Sequence, residues 1–180
     1  NHSILHAEFS RETDRAAVIV AASMLDELLR TLLVAKLAPS GSSTDELFDG
    51  ANAPLGTFSA RIEMAYRLGL VSVKFERDLH VIRRIRNDFA HNLHGASFDD
   101  TRVKQRVSEL DNSNGILRRS PIAAAQSQSP RSHFLETVSW MIFYLERMSG
   151  KVQALAAAEE EWGYTFSLDA PEKGDREVEA

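Results

Sequence analysis

The sequence predicts an all-α fold, a bundle of about five to six helices with a long first and a long last helix. Two observations predict it. Apolar residues recur at intervals of three and four positions over several long stretches, as they do on one face of a helix. No stretch of useful length alternates apolar and polar residues, and Val71-Ser72-Val73 is too short for a strand.

The first helix is predicted from Arg11 to Leu37, with Ser10 as its N-cap. Pro39-Ser40-Gly41 then ends it. Its apolar residues form two adjacent stripes, so we expect neighbours on more than one side. The stripes are Ala17, Ala21, Met24, Leu28 and Leu32, and beside them Val18, Ala22, Leu25, Leu29 and Leu33.

Three shorter elements and one longer helix follow. Ser43 and Glu46 form a capping-box pattern, which predicts a short helix that stops at Gly50. The next helix is predicted over 57–68, with Gly69 in the left-handed conformation behind it. Ser72 is placed to cap a helix that runs to about residue 92, and Asp99 or Asp100 begins another after Gly95. The expected inward side chains are Phe58, Ile62, Ala65, Leu68, Phe75, Leu79, Ile82, Ile85, Phe89, Val103, Val107 and Leu110.

The last helix is predicted to start near Ser132 and to carry a heptad seam. We expect this seam to dock on the first helix, or also to pair with a second subunit. Residues 1–162 are predicted to form one domain, with a mobile loop over 111–131 and an acidic, disordered tail over 163–180. The seam residues are Phe134, Val138, Met141, Leu145, Met148, Val152 and Leu155.

Composition excludes several classes of function. The chain has no cysteine, which rules out disulfides, thiolate zinc sites and cysteine nucleophiles. No apolar run is long enough to cross a membrane, and the N-terminus lacks signal-peptide features, so we expect a cytoplasmic protein. The net charge of −5 argues against sequence-specific DNA binding, although residues 61–131 hold 13 basic against 8 acidic residues. No clustered metal-ligand spacing or phosphate loop occurs, so no metal and no cofactor are predicted.

Two stretches between Asp49 and His91 hold most of the functional signal. Together they resemble the mannitol operon repressor family, whose pattern is Asp-Gly, Pro-Leu-Gly, Ser-x-Arg, Tyr-x-Leu-Gly and a helix that ends in Arg-x4-His. The resemblance covers roughly residues 47–92. It implies an all-helical transcriptional regulator, and because no helix-turn-helix is evident, regulation through a protein partner. The matching residues are Asp49, Gly50, Pro54, Leu55, Gly56, Ser59, Arg61, Tyr66, Leu68, Gly69, Arg86 and His91.

The Arg-x4-His segment also resembles the signature of HEPN domains, helical dimers that include metal-independent ribonucleases. Arg86, Asn87 and His91 are then the candidate catalytic residues. A histidine moves protons near neutral pH, and an arginine stabilises charge on a phosphate. On a straight helix Arg86 and His91 stand about 140° apart, so we expect them to meet only across a homodimer.

Structural roles for the same residues remain open. Arg86 is placed to pair with a buried acid such as Asp49, and His91 to cap a helix C-terminus. Ser59 and Arg61 near a helix start either bind an anion or act locally, Ser59 as a cap and Arg61 as a partner of Asp49. Three functions therefore stay open: a regulator that binds a protein, an RNA-cleaving dimer, and a catalytically silent relative that acts as a sensor domain beside another protein.

Overall fold

The computed structural model describes residues 2–92, 95–110 and 129–157, with only the backbone described over 2–5. The described residues contain helices and no strand, so the all-α prediction is confirmed. Their number also agrees with the predicted five to six. The helices are α1 His2–Arg11, α2 Asp14–Lys36, α3 Phe58–Arg67, α4 Val73–His91, α5 Thr101–Ser108 and α6 Pro130–Ser149.

Helix α2 lies at the centre of the bundle and packs against α6, α4, α3 and α1. The wide apolar arc predicted for the first helix explains this position, because both of its stripes find neighbours. The inward residues predicted for α4 and α5 are also buried. The fully buried large side chains come from four helices: Leu25, Leu29, Leu32, Leu33, Ile62, Leu79, Ile82, Ile85, Phe89, Phe134, Met141 and Ile142.

The predicted start of the first long helix is wrong. A separate helix, α1, already ends at Arg11, and α2 begins at Asp14. The N-cap of α2 is Thr13, whose side chain accepts a hydrogen bond from the backbone N–H of Ala16 at 3.3 Å. Asp14 in the first turn complements the dipole of α2, and the Ser10 hydroxyl instead donates to the carbonyl of His6 within α1.

The short helix predicted after Ser43 is also wrong. Residues 38–57 contain turns and bends but no helix. Asp45, not Ser43, organises the turn: its carboxylate accepts from the N–H of Leu47 at 3.2 Å, and its carbonyl accepts from Phe48. Gly50, with φ of +114°, then directs the chain away before a second turn forms.

Helices α3 and α4 follow their predicted bounds closely. Ser72 caps α4, where its hydroxyl accepts from the N–H of Phe75 at 3.3 Å, and Gly69 has the predicted positive φ. The predicted cap of α3 differs, because Thr57 accepts from the N–H of Ala60 and Ser59 lies inside the first turn. This shift leaves the Ser59 side chain available to the surface beside the helix start.

Helix α6 docks on α2 as predicted, and four residues of its heptad seam are buried. Its start lies two residues earlier than predicted, at Pro130 behind the cap Ser129. The seam prediction fails after Ser149, because Val152 and Leu155 follow the helix end; the N–H of Leu155 donates instead to the carbonyl of Lys36 at 2.8 Å. Buried seam residues are Phe134, Val138, Met141 and Leu145.

Two predictions fall wholly or partly beyond the described residues. Most of the predicted loop, 111–128, lies outside them, whereas its last residues, 129–131, cap and begin α6. The predicted tail over 163–180 lies outside them as well. Among the described helices, none has the length and apolar character needed to cross a membrane.

Candidate functional site

The first half of the motif region, Asp49 to Gly56, forms a loop fixed to the end of α2. Leu55 is buried, and its N–H donates to the carbonyl of Leu47 at 2.7 Å. A Cβ atom at Gly56 would lie 3.1 Å from the carbonyl oxygen of Ala53, so a larger residue would force the turn open. The family-like glycines and Leu55 therefore shape this loop.

Asp49 belongs to this loop. The two structural alternatives paired it with Arg61 or with Arg86, and both pairings are wrong. Its carboxylate lies 3.2 Å from the guanidinium of Arg30 on α2. The same guanidinium stands over the ring of Phe48, 5.4 Å from the centroid. Asp49 therefore fastens the loop to α2.

A groove of about 930 Å³ opens between this loop and the C-terminal end of α2. Two of its apolar side chains are exposed, Val34 to 45% and Leu47 to 44%. Asp45, Glu46 and Asp49 supply its charged lining, and the described residues that line it include no lysine or arginine. The groove is thus apolar with an acidic edge.

Arg61 occupies the junction of three segments. Its Nε donates to the carbonyl of Leu55 and its Nη1 to Asp26 of α2, both at 2.8 Å. Burial of the carboxyl group raises the pKa of Asp26 above its ordinary 3.8, while Arg61 and, more weakly, Arg86 oppose the rise. Arg61 therefore holds α3 against α2 and the motif loop.

Behind this junction, a cavity of about 280 Å³ lies between α2, the start of α3 and the middle of α4. We call it the α2–α3–α4 cavity. Arg86 is exposed at this cavity. It is lined by Ala22, Ser23, Asp26, Thr57, Phe58, Ser59, Arg83, Arg86 and Asn87.

The candidate catalytic residues do not share one site within a single chain. His91 is exposed and lines a different cavity, of about 560 Å³, together with Asp88, Asp100 and Arg102. Asn87 borders both cavities, and its Oδ1 accepts a hydrogen bond from Nη1 of Arg86 at 3.2 Å. The structure thus brings Arg86 to Asn87 but not to His91.

Other charged groups of α4 are held by α5. Asp88 pairs with Arg106, and Arg84 lies 3.7 Å from Glu109, so Arg84 and Asp88, four residues apart on α4, have different partners on or next to α5. Helix α5 packs against α4, which brings Arg106 and the following Glu109 close to these two residues.

Tyr66 and Gly69 lie at the other end of α3. Tyr66 is 38% exposed, and Gly69 takes its left-handed conformation as the chain turns into α4. Neither residue lines the α2–α3–α4 cavity or the acidic groove. Gly69 allows the turn between α3 and α4, and the side chain of Tyr66 lies on the protein surface.

The sequence patterns did not reveal one group of potential metal-ligating side chains. Glu63 of α3 lies beside Glu76 and His80 of α4, with their candidate ligand atoms within 4.8 Å of one another. Nε2 of His80 lies 3.3 Å from Glu76, four residues earlier on the same helix, so these two side chains also contact each other. The spacing rule for metal ligands misses this group because its third member comes from another helix.

Asp26, Ser23 and Arg83 of the α2–α3–α4 cavity were not singled out from the sequence. Asp26 had one available signal: it is an acid at the edge of an otherwise apolar stripe of α2. Arg83 offered none, because it is one of several arginines on α4.

Comparison with models of known protein families found no match, and comparison with curated proteins found none either. Among solved structures, a chain of the "X-ray structure of the MtlR-HPr complex from Escherichia coli" is similar, with a TM-score of 0.57 and 19% sequence identity. The match covers 80% of this chain and 97% of that chain. At this identity the likeness shows a shared all-helical fold.

Proposed function

We propose that the chain is a transcriptional regulator of the mannitol operon repressor type, which acts in the cytoplasm by binding a protein partner. Two independent findings support this. The motif residues from Asp49 to Gly69 resemble that family, and the fold is similar to a chain from a complex of MtlR with HPr. The proposed partner is accordingly a protein of the HPr class, and direct reading of DNA bases is not part of the mechanism.

The acidic groove carries this proposal. Exposed apolar side chains in a concave site favour binding because a partner removes their surface from water. Val34 and Leu47 are such side chains. The acidic edge selects a partner surface with basic residues around an apolar centre, because opposite charges speed and orient docking. Arg30, Asp49 and Gly56 hold the loop in shape before a partner arrives, which lowers the cost of binding.

The test uses a matched pair of valines on α2. Val34 and Val20 are both 45% exposed, but only Val34 lines the groove. Val34→Lys is expected to weaken binding of the HPr protein encoded by the same genome by about tenfold or more, because it removes a central apolar contact. Val20→Lys is expected to leave the affinity within about twofold, since it adds the same charge away from the groove.

Isothermal titration calorimetry of each purified variant with HPr measures this difference, with thermal unfolding as the check on folding. Equal weakening by both lysine variants would remove the groove from the interface. Absence of any binding by the wild type would remove HPr as the partner. A gel-shift assay with operator DNA should show no retardation by the chain alone, since its net charge is −5.

A further inference from the structure

We propose that the α2–α3–α4 cavity binds a phosphoryl anion, with Arg83 and Arg86 of α4 as its principal ligands. The anion is inorganic phosphate or the phosphoryl end of a small phosphomonoester. The proposal goes beyond the regulatory function, because it concerns a different surface and requires no protein partner. It depends on three features of the cavity: its charge, its unused donors and its size.

The cavity has a net positive charge. Arg83 and Arg86 both line it, and Asp26 is the acid among its described lining residues. Asp26 is already engaged by Arg61, whose Nη1 donates to it at 2.8 Å. Since Arg61 balances Asp26, the charges of Arg83 and Arg86 are left for a ligand.

The arginines also have unused donors. Nε of Arg83 is buried and has no hydrogen-bond partner among the described residues. Arg86 donates to the side chain of its own neighbour Asn87, which occupies one of its five N–H groups. A buried N–H without an acceptor costs free energy, so a ligand oxygen that reached Nε of Arg83 would remove that cost.

The first turn of α3 adds donors to the lining of the cavity. Thr57 caps this helix through the N–H of Ala60, and the earlier N–H groups, of Phe58 and Ser59, have no partner within the helix. The hydroxyl groups of Ser59 and Ser23 border the same space. The positive end of the α3 dipole and the two arginines therefore border the same cavity.

Size and donor number select the ligand class. A volume of about 280 Å³ lies just below the usual range for sites of drug-sized molecules and accommodates a small anion. One arginine fork satisfies the two oxygens of a carboxylate. Two forks and a helix start supply more donors than a carboxylate accepts, whereas a phosphoryl group offers three terminal oxygens and up to two negative charges.

Titration calorimetry in a chloride buffer of fixed ionic strength tests the proposal, first with inorganic phosphate and then with phenyl phosphate. The wild type is expected to bind phosphate saturably. Arg83→Gln and Arg86→Gln are each expected to weaken binding by about tenfold or more, because each removes charge-assisted hydrogen bonds. In wild-type NMR spectra, the backbone amide of Ser59 should shift along the same binding curve.

Arg67→Gln is the matched control. It removes the same charge from an exposed residue at the other end of α3, outside the cavity, and should leave the affinity unchanged. Arg86 is exposed, so Arg86→Gln keeps the test decisive even where Arg83→Gln disturbs folding. No saturable binding by the wild type, or an equal loss with Arg67→Gln, overturns the proposal.

The two ligands distinguish the source of the phosphoryl group. Tighter binding of phenyl phosphate assigns the cavity to an esterified phosphate, and tighter binding of inorganic phosphate assigns it to the free ion. Either result supports an anion site. The HPr titration described above uses separate variants, so failure of one proposal leaves the other standing.

Discussion

Arg61 joins three segments of the chain with one guanidinium group, through Asp26 of α2 and the carbonyl of Leu55. The sequence indicated a structural salt bridge for Arg61 but named Asp49 as the acid. Local spacing could not decide between them, because the true partner lies 35 positions away and is set by the crossing of α2 and α3. At the scale of single residues, such pairings depend on the tertiary fold and cannot be predicted from local sequence spacing.

The raised pKa of Asp26 predicts a pH-dependent stability. The folded state binds this proton more tightly than the unfolded chain, so deprotonation costs the folded state free energy. The cost appears as pH rises above 3.8 and is complete once pH exceeds the folded pKa. Asp26→Asn removes it, so the stability of this variant relative to the wild type is expected to increase with pH.

Urea unfolding gives the free energy of unfolding of both proteins at about pH 4 and about pH 7. The difference between variant and wild type is then compared at the two pH values, so that the contributions of the other carboxyl groups cancel. A relative stability of Asp26→Asn that is constant or falls with pH contradicts the assignment. Ser23→Ala, a neutral change on the same cavity, should show no such slope.

At the scale of elements, the corner between α1 and α2 depends on one residue of α6. Arg131 forms an ion pair with Asp14 and donates to the carbonyls of Phe9 and Glu12, at 3.0 and 2.7 Å. Asp14 also accepts from the N–H of Phe98 at 3.2 Å. The first turn of α6 therefore holds the break between α1 and α2 that the apolar pattern did not reveal.

Arg131→Met is expected to lower the free energy of unfolding by about 1–3 kcal/mol, because it removes the ion pair with the partly buried Asp14 and the hydrogen bonds to the carbonyls of Phe9 and Glu12. Arg102→Met, at an exposed position of α5, should change it by about 0.5 kcal/mol or less. Chemical denaturation of the two variants against the wild type provides the measurement. Equal losses would indicate a general effect of charge and not this contact.

For the whole molecule, apolar periodicity was sufficient to predict the class and the core. Most residues of the α2 stripes and all the predicted inward residues of α4 are buried, whereas Met24 and Leu28 are partly buried. Burial of an apolar face is what fixes a helix in a bundle. Where polar caps compete, as Thr13 does with Ser10 and Thr57 with Ser59, sequence preferences are close and tertiary packing decides. The α2–α3–α4 cavity could not be predicted because three helices contribute to it.

The placement of Arg86 and His91 leads to a prediction about RNA. Because one chain puts them in separate cavities, we expect no metal-free RNA cleavage by the wild type under conditions where it is monomeric. Gel analysis of a labelled RNA, with His91→Ala as the comparison, measures this. Cleavage by the wild type that His91→Ala abolishes would revive the enzyme interpretation, with a homodimer, itself still a prediction, assembling the site.

Helix α2 carries residues of both proposed binding surfaces, Asp26 at the cavity and Val34 at the groove. Eight residues separate them, about 12 Å along the helix axis. A protein footprint of ordinary size, about 800 Å² per partner, extends roughly 16 Å from its centre. A footprint centred on Val34 therefore reaches as far along α2 as Asp26. If a bound partner touched an anion held in the cavity, each ligand would change the affinity of the other by the same factor.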